Sequence, residues 1–335
     1  MTAAALDLVL ADPDLEAGVR AGLARVEERL RVSVRQADAL VDSASRHLIE
    51  AGGKRIRPML TLLAGYFGDP TRPQIVDAAV AMELTHLATL YHDDVMDSAP
   101  LRRGAPSAHE VWGNTIAILT GDLLLARASR IIADLGAEAV GVQADTFERL
   151  CLGQLRETMG PRPGEDPVQH YLAVLADKTG SLIATAARFG ATFAGCSPDV
   201  VATLGAYGDR VGVAFQLADD VLDLASDGEE SGKTPGTDLR EGVRTLPVLL
   251  VTRAAEDSAD AESLALVELL SGDLDDDAVL ADAVVRLRAH PAMDLARAEA
   301  QRWAGEAVAV LDALPPGAPR DALAAFAEAV ADRTR

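Results

Sequence analysis

The stretch IVDAAVAMELTHLATLYHDDVMD, residues 75–97, decides how the chain folds and hints at what it holds. Its apolar residues return at three- and four-residue spacing, with Ile75, Ala78, Ala79, Met82 and His86 along one face. That is the period of an α-helix rather than of a strand. The stretch ends in three carboxylates, Asp93, Asp94 and Asp97. At helical spacing the first and third share a face one turn apart. Like charges so placed destabilise a helix unless cations answer them. An all-oxygen set of this density suits a hard divalent ion such as Mg2+, which keeps several waters and bridges to phosphates. One such cluster is weak evidence, because most acidic helix ends are solvated faces or caps. A second copy, ADDVLD with Asp219, Asp220 and Asp223, stands in another apolar run. Together the two predict paired metal sites facing each other.

The rest of the chain reads the same way. Its 335 residues are 49% hydrophobic and only 4% aromatic, enough for a sizeable core. Few β-branched runs alternate with period two, so the fold expected is all-α. Pro and Gly mark helix breaks at Gly52-Gly53, Gly68-Asp69-Pro70, residues 98–106, 160–167, Cys196-Ser197-Pro198, 227–237, His290-Pro291 and 315–319. The long break near residues 227–240, rich in Gly and charge, is a candidate lid. Cys151 and Cys196 lie in apolar settings and are expected to pack as small core residues, not as a disulfide or a metal site. The N-terminus lacks the basic start and apolar run of a signal peptide. No segment reaches about 18 uninterrupted apolar residues. A soluble, cytoplasmic protein with no transmembrane segment is the expectation.

A net charge of -21 argues against nucleic acid or an anionic membrane as partner. It does not argue against a small anion, because the cations gather in three short stretches. These are GGKRIRP at residues 52–58, Leu101-Arg102-Arg103-Gly104, and Gly232-Lys233-Thr234 with Arg240 and Arg244 nearby. The acidic run Asp275-Asp276-Asp277 lacks an apolar setting and reads as a solvated loop face. In GGKRIRP two glycines let the backbone approach a ligand. Arg57 could then hold a diphosphate by bidentate hydrogen bonds and Lys54 as a point charge; a helix start with solvated cations reads equally well. Lys178 and Thr179 lie in an apolar helical stretch, where a lysine needs an anion. Gln216 stands about one turn before Asp219 and Asp220. His86 is two turns before Asp93 and, taken alone, is an ordinary packed or surface histidine. No Gly-x-Ser-x-Gly, Cys-x-x-Cys, His-Glu-x-x-His, Walker loop or dinucleotide fingerprint occurs. Carboxylates for metal, cations for diphosphate and an apolar interior suit ionisation of a diphosphate leaving group.

The ordered set GGKRIRP, LYHDDVMD with RRG, KTG, FQLADDVLD, GKTPGTDL and TLP resembles the trans-isoprenyl diphosphate synthases over roughly residues 50–250. The resemblance implies one domain over residues 1–335, with 1–12 a loosely ordered tail. Its fold would be of the isoprenoid synthase type, a bundle of long antiparallel helices around a deep central cavity. It implies that Asp93, Asp94 and Asp97 bind two Mg2+ ions and Asp219, with Asp220 and Asp223, a third. Arg102, Lys178 and Lys233 would grip an allylic diphosphate, and Lys54, Arg57, His86 and Arg103 isopentenyl diphosphate. Thr179 and Gln216 would face the allylic cation. The family's pattern often has a lysine near Val243, a position that Arg244 either fills or leaves without a cation. A homodimer is the family's usual state.

In the resembling enzymes the product grows down a tunnel lined by the helix before the first acidic motif. Ala88 and Thr89 lie about one turn (about 5.4 Å) below the metal site and are small, as are most residues further down. Such a tunnel would be open to a floor at Phe147 or Leu150, and the product expected has about six to ten isoprene units, or about C30–C50; close helix packing is the other reading of Ala88 and Thr89. A short or medium C15–C20 synthase is the alternative. A class I terpene cyclase fits the second motif poorly. A non-catalytic subunit of a heteromeric synthase would be expected to lose acidic motifs or cations that this chain retains.

Overall fold

The computed structural model describes residues 11–225, 235–258 and 260–333. Lys233, most of the 227–237 break and the tail before Ala11 lie outside the described residues. Apart from a two-residue hairpin, β1 (Leu101–Arg102) against β2 (Ala105–Pro106), the described residues form helices joined by turns. The all-α expectation holds.

The helices begin where short acidic side chains can satisfy unpaired N–H groups. Asp12 caps α1 (Pro13–Ser33) by accepting from Leu15, Asp38 caps α2 (Ala39–Glu50), and Asp166 caps α8 (Pro167–Leu175). Asp276, in the acidic run, caps the helix Asp277–Ala289. The breaks at Gly52-Gly53, Gly68-Asp69-Pro70, residues 98–106 and His290-Pro291 fall outside the helices, whereas those at 160–167, Cys196-Ser197-Pro198 and 315–319 run into the first turn of the next helix.

The tertiary contacts gather into two compact units. The first takes residues 1–149, 181–208 and 310–325. Its centre is α4 (Pro73–Met96), packed against α3 (Ile56–Gly65), α6 (Asn114–Leu135), α9 (Ser181–Ala194) and α1. The sequence suggested one apolar face for α4. In the structure the helix is buried all round: Ala78, Ala79, Val80, Ala81, Met82, Leu84, Leu87, Ala88 and Tyr91 are each 0% exposed. A helix apolar on every side is one enclosed by neighbours. Small residues allow the crossing of α3 and α9, since a Cβ on Gly190 would collide with the Thr61 carbonyl.

The second unit takes residues 150–180, 209–309 and 326–335. Its core joins Leu217, Val221 and Leu224 of α10 (Pro198–Ala225) to Leu172 and Leu175 of α8, Val251 of the helix Leu246–Ser258, and Leu287 and Met293 of the two helices that follow further on.

Cys151 corrects an expectation. It is exposed on α7 (Ala137–Met159), and Cys196 is half-buried in the turn before α10; both are free thiols. The apolar neighbours that suggested a core, Leu152 and Leu155, are themselves exposed. Among the described residues no helix is long and apolar enough to cross a membrane.

Candidate active site

The first unit carries the GGKRIRP loop, the hairpin and the first acidic cluster. Gly52 and Gly53 take φ of +87° and +147°, and Arg55 follows at +49°, backbone that favours glycine. The turn wraps around the Arg55 side chain. That guanidinium, 7% exposed, meets Glu83 of α4 at 2.9 Å and Glu27 of α1 at 2.5 Å. It also donates to the carbonyls of Gly52 and Ile49. Arg55 is therefore a pin that ties the turn to α1 and α4. Lys54 is exposed, whereas Arg57 is half-buried and its Nε is buried with no hydrogen-bond partner.

The hairpin closes on this loop. Arg103 and Gly104 have φ of +55° and +77°, the two left-handed residues of a tight hairpin turn whose twist matches its strands. The Arg103 guanidinium donates to the carbonyls of Leu48 and Gly52. It covers Gly53 so closely that a Cβ there would stand 2.7 Å from its central carbon. Loop and hairpin thus lock together through a cation. His86, half-buried on α4, sits in the field of this cluster. Burial pushes its pKa well below the usual value, and Arg57, Arg103, Arg55 and Arg102 press it further down. Burial likewise brings Arg57 down to about 10, opposed by Glu83 and aided by Arg103. Cations that depress one another around an unpartnered guanidinium N–H make a site short of an anion.

A pH prediction follows for His86. Its folded pKa lies below its unfolded value of 6.5, so the unfolded chain takes up the proton first as pH falls. Stability is then lost as pH drops below about 6.5 and levels off only under the folded value. His86→Gln should reduce the fall in Tm between about pH 7 and pH 5. Identical pH dependence in both proteins would remove His86 as a contributor.

The first acidic cluster ends α4. Asp97 caps the helix, donating its N–H to the Asp93 carbonyl at 2.8 Å, and Ser98 takes φ of +51°. The Ala99 N–H reaches the Asp94 carbonyl at 3.1 Å, closing the end with a Schellman turn. The three carboxylates therefore stand at the negative end of the helix dipole, where a cation is favoured. Asp93 is half-buried and Asp97 exposed. Asp94 is 0% exposed: one oxygen accepts from Arg102 Nε at 2.6 Å, and the other is buried without a partner. Burial raises its pKa and the Arg102 charge opposes the rise. An orphaned acceptor oxygen in this position fits a divalent cation. Among the described residues no three His, Cys, Asp or Glu side chains gather tightly enough to enclose an ion by themselves. Mg2+ does not require that, since it is commonly held by one or two carboxylates plus phosphate oxygens and water.

The second unit carries the remaining residues. Residues 176–180 form a π-helical turn, a distortion that recurs at functional sites. On it, Lys178 Nζ lies 2.6 Å from Glu157 Oε2 of α7, and Arg156 pairs with Asp177 at 2.5 Å. Thr179 Oγ1 donates to Gln216 Oε1 across a long 3.4 Å. Gln216 Nε2 donates to Asp220 Oδ1 at 3.2 Å, and the Tyr171 hydroxyl donates to Asp220 Oδ2. Asp220 is 2% exposed, and burial pushes its pKa well up against the pull of the Tyr171 hydrogen bond. Asp219, one residue earlier, is 35% exposed and meets Arg333 Nη2 at 2.9 Å. Asp223 accepts from the Asp238 N–H at 3.2 Å through its side chain and from Gly236 at 3.0 Å through its carbonyl. Arg244 is exposed. Glu157, Tyr171 and Arg333 escaped the sequence reading. Each meets its partner from a distant segment, so no local pattern marks it.

The pattern of the family described as polyprenyl synthetase matches residues 38–285. A nonaprenyl diphosphate synthase of Mycobacterium tuberculosis is 47% identical over 325 residues, 97% of this chain and 96% of that protein. A heptaprenyl diphosphate synthase component 2 of Geobacillus stearothermophilus is 37% identical over 302 residues, 90% of this chain and 92% of that one. The fold matches a geranylgeranyl pyrophosphate synthase of Corynebacterium glutamicum, solved with calcium and isoprenyl diphosphate. The TM-score is 0.85 at 41% identity, covering 97% of this chain and 99% of that one. The chain, with its motifs between Lys54 and Arg244 inside the matched span, belongs to the polyprenyl synthetase family.

Proposed function

We propose that the chain is a prenyltransferase that joins isopentenyl diphosphate head-to-tail to an allylic diphosphate, producing a long-chain all-trans polyprenyl diphosphate. The observation that carries the reading is on α4. His86, beside an Arg57 with an unpartnered Nε, and Asp93, in a cluster with an unpartnered carboxylate oxygen, lie seven residues apart on one helix. That spacing is about 10 Å. An anion-seeking end and a cation-seeking end at that separation suit two diphosphates side by side, one held by cations and one through Mg2+.

In this reading Lys54, Arg57, His86 and Arg103 hold isopentenyl diphosphate. Neutral His86 donates a hydrogen bond without adding a further charge to the arginines. Asp93, Asp94 and Asp97 would hold Mg2+ on the allylic diphosphate, and Asp219, the outward member of its cluster, would hold another ion with Asp220 and Asp223 beside it. Bound Mg2+ would neutralise charge on the departing diphosphate. Arg102 and Lys178 add positive charge near it, as does Lys233, which lies outside the described residues. Thr179 and Gln216 present oxygen atoms to the allylic cation. Buried apolar residues exclude water, which would otherwise capture that cation. A homodimer through the exposed Ile118 and Leu119 of α6 belongs to the same proposal, since apolar side chains exposed in sequence-adjacent positions invite a partner.

The long product rests on Ala88 and Thr89. Ala88 is fully buried, and Thr89 turns its hydroxyl onto the His86 carbonyl at 2.8 Å. Both side chains are small, and in this reading neither would block a growing chain. The test is a product assay on the purified chain alone, with Mg2+, labelled isopentenyl diphosphate and a series of allylic primers. Products of about six to ten units support the reading; products of three or four units keep the transferase and reject the open tunnel. No incorporation favours a subunit that needs a partner. Ala88→Phe is expected to shorten the product by at least one isoprene unit, with Thr89→Phe as the check if the tighter packing at 88 costs folding. An unchanged product ladder in both refutes the tunnel argument.

A further inference from the structure

We propose that Tyr171 is a positioning residue for the transfer step, acting through Asp220 and Gln216 on the Thr179 hydroxyl. The inference rests on the reading that Thr179 and Gln216 face the allylic cation. Tyr171 lies on α8, one element before the π turn that carries Thr179. Its hydroxyl donates to one oxygen of Asp220, and Gln216 Nε2 donates to the other at 3.2 Å. Asp220 is 2% exposed and held from both sides, with each of its oxygens acting as an acceptor in this arrangement.

That constraint decides which way Gln216 points. An amide has two donors on nitrogen and an acceptor on oxygen, and its orientation is set by what it meets. A carboxyl oxygen on one side draws the NH2 toward Asp220 and leaves Oε1 toward Thr179, which donates to it at 3.4 Å. The reversed amide would aim its positive end at the hydroxyl and at a developing cation. Tyr171 thereby keeps the negative end of the amide dipole, and the lone pairs of Thr179, in a fixed arrangement before charge appears. Preorganised dipoles of this kind act in the transition state without reorganisation. The Tyr171 ring packs against the second unit's core, and a phenylalanine preserves that packing.

The experiment is a double-mutant cycle on the full chain with Mg2+, an allylic diphosphate and isopentenyl diphosphate. Tyr171→Phe is expected to lower kcat about tenfold while both KM values stay within about twofold. A purely structural tyrosine would lower Tm and leave kcat per folded molecule intact. Thr179→Ala should lower kcat as well, and Tyr171→Phe should cost much less in that background than in the parent. Losses that multiply, or a Tyr171→Phe kcat equal to the parent's beside a slow Thr179→Ala, overturn the proposal alone. A parent-like kcat in Thr179→Ala overturns the cation reading and the proposal with it. Should Tyr171→Phe fail to fold, Gln216→Leu cuts the same network at its next member. Non-additivity of that variant with Thr179→Ala then supports the network, and multiplication rejects it.

Discussion

Asp93→Ala and Asp219→Ala should each lower kcat by about 10²–10³ or more while the helices and Tm stay close to those of the parent. The two effects separate because of where these carboxylates stand. Asp93 is half-buried at the end of α4 and Asp219 is 35% exposed on α10. Neither is part of the packed core. Asp93 is at the negative end of its helix dipole, so removing its charge relieves repulsion. Asp219 loses its Arg333 partner, a partly exposed pair of the kind worth at most about 1 kcal/mol. The loss in turnover has a different origin. If these carboxylates hold Mg2+ on a departing diphosphate, their removal leaves the developing negative charge unanswered in a water-poor site. Melting curves with steady-state rates over a Mg2+ titration test both halves. Near-full activity in either variant would sink its metal assignment. Unfolding in either would show that its carboxylate is a structural group instead.

Much of the fold was legible because helix ends are local events. The breaks at Gly52-Gly53, Gly68-Asp69-Pro70 and His290-Pro291 mark helix boundaries that the structure keeps. The 3.6-residue period of residues 75–97 gave α4 its type but not its depth. One face was visible in the pattern, yet the helix is enclosed on all sides, because small alanines are compatible with both surface and core. The acidic clusters were legible as clusters, but their members were not distinguishable. Asp219 and Asp220 are neighbours in sequence and differ by a rotation of about 100° around the helix. That rotation leaves one outward and one buried against Tyr171. The π turn at 176–180 has no sequence signature here, so Lys178 was expected to seek an external anion although Glu157 already stands 2.6 Å away.

The cations of GGKRIRP give the sharpest case. Lys54, Arg55 and Arg57 look alike in the sequence, and only tertiary structure sorts them. Arg55 finds Glu27 and Glu83, each 28 residues away in opposite directions along the chain. Arg55→Met should therefore cost stability on a scale that Lys54→Ala does not approach. Glu83 is 2% exposed and would lose its ion-pair partner while remaining buried. Breaking a buried pair from one side costs about 3–5 kcal/mol because the orphaned charge cannot return to water. Two carbonyls, Gly52 and Ile49, lose a donor at the same time. A fall in Tm of about 10 °C is expected, together with a higher KM for isopentenyl diphosphate, since the same turn carries Lys54 and receives Arg103. Lys54→Ala should leave Tm unchanged and raise KM alone. The control is Arg55→Met with Glu83→Leu, in which no buried charge is left at that contact and part of the stability returns. If the double variant is no more stable than Arg55→Met, the loss came from the backbone carbonyls rather than from the buried glutamate. If Arg55→Met melts with the parent, the pin is absent, and Arg55 joins the cations proposed to hold substrate.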